Sequence, residues 1–145
     1  MAAYADNRKA LFDYEVLEKL IAGIELLGTE VKSVRAGKMT LRGAFITVRG
    51  GEAYLINADI PPYQPKNAPE AYDAQAPRKL LLTKEEIERL RVAEATKGLT
   101  IIPLSVYNKG RFLKVDIAIA RGKKKYDKRE AIKKRDVERD LKRSL

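Results

Sequence analysis

The apolar residues of the chain fall into short runs that glycines interrupt. Between residues 24 and 55 glycine recurs every few positions, which predicts strands and turns there. The clearest unit is the pair 45–49 and 52–56, because the Gly50-Gly51 dipeptide between them readily adopts the positive φ angles of a two-residue hairpin turn.

A second hairpin is predicted around residues 108–110. It joins an apolar run at 99–107 to another at 112–119. Because Pro103 lacks the backbone N–H that a ladder hydrogen bond needs, we expect its strand to lie at a sheet edge or to be bulged there.

Two helices are predicted to pack on these strands. Apolar side chains recur at helical spacing between residues 16 and 21 and predict a short amphipathic helix before the first strand. The second helix follows a capping box at residues 83–86, and Gly98 is placed to end it.

Five of the six prolines lie between Pro61 and Pro77, in a stretch without helical or strand period. We predict a long functional or mobile loop there. Several short strands, two hairpins and two helices within about 120 residues predict a mainly β fold. Its expected form is a small closed antiparallel barrel, of which the oligonucleotide-binding (OB) barrel is one type, with short flanking helices.

Composition and charge narrow the function. The chain has 145 residues, 45% of them hydrophobic, which suits one domain with an appendage. Its 30 basic against 20 acidic residues give a net charge of +10, which favours nucleic acid as the partner. No apolar run is long enough to span a membrane, and residues 1–6 lack the pattern of a signal peptide. We therefore expect a soluble, cytoplasmic protein without a membrane partner.

Catalytic and metal chemistry is disfavoured. The chain has no cysteine and no histidine, which removes most zinc, thiol and imidazole sites. No glycine-rich phosphate-binding motif occurs, and capping of a helix explains Glu85 and Glu86 better than acid–base catalysis does. We predict no catalytic residues, no metal and no cofactor.

Residues 121–145 differ from the rest of the chain. They contain twelve basic and five acidic residues and so contribute +7 of the net charge. We predict a domain over residues 1–120 and a basic tail over 121–145, disordered when free and able to become helical when phosphates neutralise its lysines. The plain alternative is a solvating basic terminus. Tyr126, an aromatic among cations, favours RNA binding because bases stack on such rings.

Two further basic clusters lie at residues 7–9 and 32–38, and Arg78-Lys79 precedes three leucines at 80–82. Lys32 and Arg35 are spaced to share a solvent-facing surface if Val31 and Val34 face the core. The leucines by themselves indicate core positions.

A series of motifs in order along the chain resembles the SsrA-binding proteins. The match runs from about residue 7 to residue 139, and its specificity comes from the whole series at these spacings. The motifs occupy residues 7–10, 12–14, 28–38, 52–55, 77–82, 97–104 and 122–129. Two positions depart from the family pattern: Tyr126 stands where many members have histidine, and Ile21 replaces a common acidic residue.

The resemblance implies an OB barrel that holds the tRNA-like domain of transfer-messenger RNA in trans-translation, the rescue of stalled ribosomes. It implies support of alanylation by alanyl-tRNA synthetase and delivery with elongation factor Tu, both acting through the RNA. It also implies that the tail enters the empty mRNA channel near the decoding centre and contacts ribosomal RNA of the small subunit.

The resemblance and the basic clusters together define the predicted site residues. Leu81 leaves the core on this interpretation and joins the RNA-binding face of the barrel. That face comprises Asn7, Arg8, Lys9, Glu30, Lys32, Arg35, Lys38, Arg78, Lys79, Leu81 and Lys114. The ribosome-binding residues of the tail are Lys123, Lys124, Lys125, Tyr126, Asp127, Lys128, Arg129, Ile132, Lys133 and Lys134.

Two alternatives remain open at the level of sequence. The chain could be a general RNA-binding or ribosomal barrel protein without preference for transfer-messenger RNA. It could also be an RNA-processing enzyme that uses carboxylates or lysines. Competition by ordinary tRNA separates the first alternative from our prediction, and the chemical fate of labelled RNA separates the second.

Overall fold

The computed structural model describes residues 3–64 and 71–123. This part of the chain contains seven strands and three helices. In chain order they are β1 (Ala5–Asp6), α1 (Arg8–Asp13), β2 (Tyr14–Ile24), α2 (Gly28–Arg35), β3 (Phe45–Arg49), β4 (Glu52–Ile56), β5 (Arg78–Leu81), α3 (Lys84–Ala95), β6 (Leu99–Lys109) and β7 (Phe112–Gly122).

The strands form one antiparallel sheet in the order β1-β6-β7-β2-β5-β4-β3. The sheet bends so that β3 packs against β6. Among the described residues, however, no ladder joins the end strands β1 and β3. The mainly β, antiparallel fold class is therefore confirmed, whereas closure of the sheet into a barrel is not.

Both predicted hairpins are confirmed. Gly50 and Gly51 have φ angles of 57° and 77° and connect β3 to β4, whose last ladder pair is Arg49 with Glu52. Gly110, with φ of 64°, lies in the turn that joins β6 to β7. Positive φ angles of this kind match the twist of the flanking strands, so the turn residues alone were a sufficient signal.

Residues 16–21 form part of strand β2, so the helix predicted there is wrong. β2 pairs with β7 from Tyr14 to Gly23, and the register shifts between Val16 and Glu18. More buried positions nevertheless alternate with exposed ones through this bulge, as expected for a strand. The apolar residues at positions 17 and 21 are exposed, and together with those at 16 and 20 they give the sequence the spacing of an amphipathic helix.

The expectation of strands and turns throughout residues 24–55 is wrong for residues 28–35, which form α2. Ser33 and Val34 on this helix are buried, and the carboxylate of Glu30 accepts the N–H of Leu27 at its start. Gly37, with φ of 76°, lies just past its end. Glycine is common both just after a helix and in the turn between two strands, so its position in the sequence does not distinguish the two.

The second helix is confirmed as α3. Thr83 and Glu86 form the predicted capping box, in which each residue's backbone N–H donates to the other's side chain, at 3.0 and 3.2 Å. Leu90 and Ala93 are buried against the sheet, and Gly98, with φ of 85°, follows the last turn. α3 is thus a brace on the inner face of the sheet, as expected.

Apolar side chains are buried on both faces of the sheet. The larger core lies between the sheet and helices α2 and α3, and it includes Val115 and Ile117 of β7. On the opposite face, Ala10 of α1 packs with Ala118 and Ala120. Because neighbours along a strand point to opposite faces, Lys114 and Asp116 share this second face with the two alanines.

Pro103 lies at a bulge in β6, where the register with β7 shifts between Pro103 and Ser105. The predicted irregularity of this strand is therefore confirmed. No helix in residues 3–64 and 71–123 is long and apolar enough to cross a membrane. Residues 65–70 of the proline-rich loop and residues 124–145 lie outside the described residues, so the predictions made for them remain predictions.

Candidate nucleic-acid interface

Three residues far apart in sequence form one row across the second face of the sheet. In the strand register, Gly23 of β2 is opposite Leu81 of β5 on one side and Lys114 of β7 on the other. The Leu81 side chain is 50% exposed. The structure therefore places Leu81 on the surface beside Lys114, where the resemblance to the SsrA-binding proteins assigned both.

A small cleft of about 180 Å³ opens next to this row. Its charged side chains are all basic: Arg35, Arg111 and Lys114. The guanidinium of Arg35 donates to the backbone oxygen of Arg111 at 3.2 Å, which orients it toward the hairpin that carries Lys114. The remaining lining residues are Gly23, Ile24, Leu26, Val31, Leu81, Phe112 and Leu113. This combination of cations and apolar surface suits a phosphate backbone with an unstacked base.

Gly23 allows Leu81 to lie close to the strand. A Cβ atom at position 23 would be 3.1 Å from the Cβ of Leu81 and 3.3 Å from its Cδ1. Distances this short require the neighbour to move. The absence of a side chain at Gly23 thus determines where Leu81 sits in the row.

We expect Gly23→Ala to lower the free energy of unfolding by about 1–3 kcal/mol, the usual cost of adding a methyl group where there is no space for it. Urea unfolding measures this change. Gly122→Ala is the matched control, because Gly122 is also a strand glycine and a methyl group added there would have no described atom within 4 Å. Equal effects of the two substitutions would show that crowding at Leu81 has no part in the result.

Lys114 is not neutralised by any carboxylate of the described residues. Its near neighbour Asp116 accepts a hydrogen bond of 2.6 Å from the hydroxyl of Tyr107, and Tyr107 is opposite Lys114 in the ladder. That hydrogen bond, together with burial, raises the pKa of Tyr107 to about 12. Tyr107 therefore remains a protonated donor at neutral pH. Lys114 forms no ion pair within the described part of the chain and remains available for a phosphate.

Glu30 and Arg78 lie below the surface as an ion pair. Their side chains approach to 2.6 Å and are almost fully buried, with Arg78 only 3% exposed. Arg78 also donates to the backbone oxygens of Ala58 and Ala74. The sequence placed both residues on the RNA-binding face, but their charged groups contact each other and the backbone.

Tyr72 completes this buried network. Its hydroxyl donates to the backbone oxygen of Ile60 at 2.6 Å and lies 3.3 Å from the carboxylate of Glu30. Burial, followed by the nearby Glu30 carboxylate, raises the pKa of Tyr72. The network thus ties the loop before β5 to helix α2.

Lys32 and Arg35 are at the surface of α2, and two other predicted cations have internal contacts. The Lys38 ammonium lies 5.3 Å from the centre of the Tyr63 ring and donates to the Tyr63 backbone oxygen at 3.2 Å. Lys79 lies 3.6 Å from the carboxylate of Glu52, in a pair that is partly exposed. Weak surface contacts of this kind leave a cation free to exchange partners.

The N-terminal cluster lies apart from the row at Gly23. The side chain of Asn7 is buried and donates to the backbone oxygen of Pro103 at 2.9 Å, which ties the start of α1 to the bulge in β6. Arg8 and Lys9 are exposed on α1. Lys9 lines a separate cleft of about 390 Å³ with Arg42. The predicted barrel residues are thus divided between two places and a buried network.

Of the predicted tail residues, only Lys123 is described. Its backbone N–H donates to the oxygen of Asp13 at 2.8 Å, and its ammonium donates to the oxygen of Leu11 at 3.1 Å. Strand β7 also extends to Gly122, two residues past the boundary that charge predicted. Lys123 therefore anchors the end of β7 to the C-terminal end of α1.

Sequence reasoning missed Gly23, Arg42, Arg111 and Phe112 as lining residues. Phe112 had no local signal of exposure, because a phenylalanine at the start of a strand is more often buried. Gly23 had no signal as a lining residue, because its importance depends on the close approach of Leu81. No group of acidic residues that could hold a metal ion occurs in residues 3–64 and 71–123.

Comparisons with known proteins agree with the geometry. The family model described as SmpB protein matches residues 4–145. The SsrA-binding protein of Chloroflexus aggregans is 50% identical over 145 residues, covering 100% of this chain and 92% of the relative. That of Gloeobacter violaceus is 51% identical over 140 residues, covering 97% and 91%.

A solved structure gives the same result. A chain from "tmRNA-SmpB: a journey to the center of the bacterial ribosome" is 46% identical and superposes with a TM-score of 0.69. The match covers 88% of this chain and 92% of that one. The chain therefore belongs to the SmpB family of SsrA-binding proteins.

Proposed function

We propose that this protein binds the tRNA-like domain of transfer-messenger RNA and acts in trans-translation. The names of its relatives, which bind SsrA RNA, and the ribosomal setting of its structural neighbour support this. The observation that carries the proposal is the row of Leu81, Gly23 and Lys114 beside a cleft whose charges are all basic. The bent antiparallel sheet supports an OB-like form for the domain over residues 1–120.

Two kinds of residue make up the proposed barrel site. Arg8, Lys9, Lys32, Arg35 and Lys114 are at least partly exposed and suit direct contact with RNA phosphates. The buried Asn7, Glu30 and Arg78 position the helices and loop that carry those cations. Lys38, Lys79 and Leu81 contribute from the surface around them.

The basic tail has a separate role in this proposal. Its cations, with Tyr126, contact ribosomal RNA of the small subunit as the tail becomes helical in the empty mRNA channel. Alanyl-tRNA synthetase and elongation factor Tu act on the same RNA without needing a catalytic group from this chain. The proposed location is the cytoplasm, where ribosomes work, and the proposed role is binding and not catalysis.

Binding across a salt series tests the RNA assignment. We expect the intact protein to bind the tRNA-like domain tightly at about 0.15 M salt in the presence of excess ordinary tRNA. The logarithm of the binding constant should fall linearly with the logarithm of the salt concentration, because each phosphate that the protein neutralises releases counterions. Filter binding or fluorescence anisotropy measures both quantities.

The alternatives predict different results in this assay. Equal competition by ordinary tRNA would identify a general RNA-coating protein and overturn the proposal. Cleavage or modification of labelled RNA recovered after incubation would identify an RNA-processing enzyme. Lys97→Gln is the control for any variant of this protein that removes one positive charge from the proposed site, because Lys97 is exposed and lines neither the cleft at Gly23 nor the one at Lys9.

A further inference from the structure

Phe112 is the most exposed large apolar side chain among the described residues, at 70%. We propose that Phe112 and the cleft behind it bind one unpaired nucleobase, and that Arg35, Arg111 and Lys114 contact the phosphates on either side of it. The proposal rests on the proposed function, since it specifies the nucleotide that the RNA-binding surface recognises.

The hairpin between β6 and β7 determines where the ring projects. Phe112 is the first residue of β7 and is opposite Lys109, the last residue of β6. Leu113 is buried, whereas Phe112 and Lys114 are not. Because alternate residues of a strand share a face, the ring of Phe112 and the ammonium of Lys114 project on the same side of the sheet.

The cleft has the parts that a stacked base needs. Phe112 supplies an aromatic face at its rim, and Leu81 supplies an aliphatic surface above Gly23. Bases stack on such rings through their π faces. With about 180 Å³ of space, the cleft is smaller than the usual site of a drug-sized ligand and suits a single flat ring.

Charge favours a nucleotide over an apolar protein side chain as the occupant. Among the described residues, three basic side chains and no acidic one line the cleft. The guanidinium of Arg35 uses one of its five N–H groups on the Arg111 backbone and retains the others. Flanking cations contribute nothing to an apolar side chain, but they neutralise the phosphates on either side of a base.

The test compares substitutions of Phe112 in the full-length protein. We expect Phe112→Ala to weaken binding of the tRNA-like domain roughly 5- to 150-fold, the range for loss of one base–aromatic stack. The salt slope should not change, because no phosphate contact is lost. Phe112→Tyr should bind the tRNA-like domain within about 3-fold of the unmodified protein, since it retains the aromatic ring. Lys114→Gln should weaken binding and reduce the slope by about 0.7–0.9, the value for one phosphate.

Val92→Ala is the matched control, because Val92 is an exposed apolar residue of α3 that lines none of the clefts described above. A photoreactive phenylalanine analogue at position 112 provides a direct readout. It should crosslink to an unpaired nucleotide. Unchanged affinity of Phe112→Ala, or crosslinking confined to base-paired nucleotides, would overturn the proposal.

Failure of this proposal differs from failure of the proposed function. If the intact protein prefers transfer-messenger RNA over tRNA but Phe112→Ala binds normally, only the nucleobase site is wrong. If the intact protein shows no such preference and Phe112→Ala still loses affinity for a single-stranded oligonucleotide, the base site stands and the RNA specificity is wrong.

Discussion

Replacing Arg78 with methionine is expected to lower the free energy of unfolding by about 3–5 kcal/mol, because it leaves the buried carboxylate of Glu30 without its partner. Glu30→Gln should have a comparable cost, since it leaves the guanidinium of Arg78 buried and unpaired. Urea unfolding, followed by circular dichroism, measures both. The loss is large relative to the roughly 5–15 kcal/mol that typically stabilises a domain.

Glu52→Gln is the control for this prediction. Glu52 pairs with Lys79, the next residue along β5, but that pair is partly exposed and has a separation of 3.6 Å. Surface pairs contribute about 0–1 kcal/mol, so this substitution should change stability little. Similar costs for Glu30→Gln and Glu52→Gln would mean that burial of the Glu30–Arg78 pair has no energetic consequence.

Removing residues 124–145 should abolish tagging of stalled nascent chains while leaving specific RNA binding by the rest of the protein. The truncation retains β7 and Lys123, whose contacts with α1 close that end of the fold. It removes ten basic and five acidic residues. Affinity should therefore fall and the salt slope become shallower, because fewer phosphates are neutralised. Peptide tagging in a reconstituted translation system measures the functional loss.

A chain with residues 124–145 in shuffled order is the matched control, because its length and net charge are unchanged. It should recover much of the RNA affinity, which depends on charge, without recovering tagging, which depends on the placement of Tyr126 and its neighbours. Normal tagging by the truncated protein would show that the proposed role of the tail is wrong. Normal tagging by the shuffled chain would show that charge alone is sufficient.

The elements predicted correctly had local signals. Gly50 and Gly51 adopt positive φ angles readily because glycine has no Cβ atom, and the Thr83–Glu86 capping box is complete within four residues. Such signals do not depend on the rest of the fold. The same holds for the bulge at Pro103, because a missing N–H is missing in any context.

The elements predicted wrongly depended on distant partners. β2 is a strand because β7, about a hundred residues away, pairs with it along most of its length. Exposed apolar residues at positions 17 and 21 hide its strand period in the sequence. α2 is helical where glycines indicated turns, and its buried face packs into the core below the sheet. Neither partner can be recognised from the local pattern, because tertiary context overrides weak local preference.

The candidate site shows the same division. The sequence by itself determined the chemistry: an excess of basic residues, clustered at residues 7–9, 32–38 and in the tail, and a chain without cysteine or histidine. Those properties favour a polyanionic partner and remove most thiol, imidazole and zinc chemistry, and the family motifs identified the partner more closely.

Only the tertiary structure decided which of those residues act together. Strand register aligned Leu81, Gly23 and Lys114, and burial turned Glu30 and Arg78 toward each other. Charge and turn preference belong to single residues or short segments and can be recognised along the chain. Register and burial belong to pairs of residues distant in sequence, so they become defined only when the sheet forms.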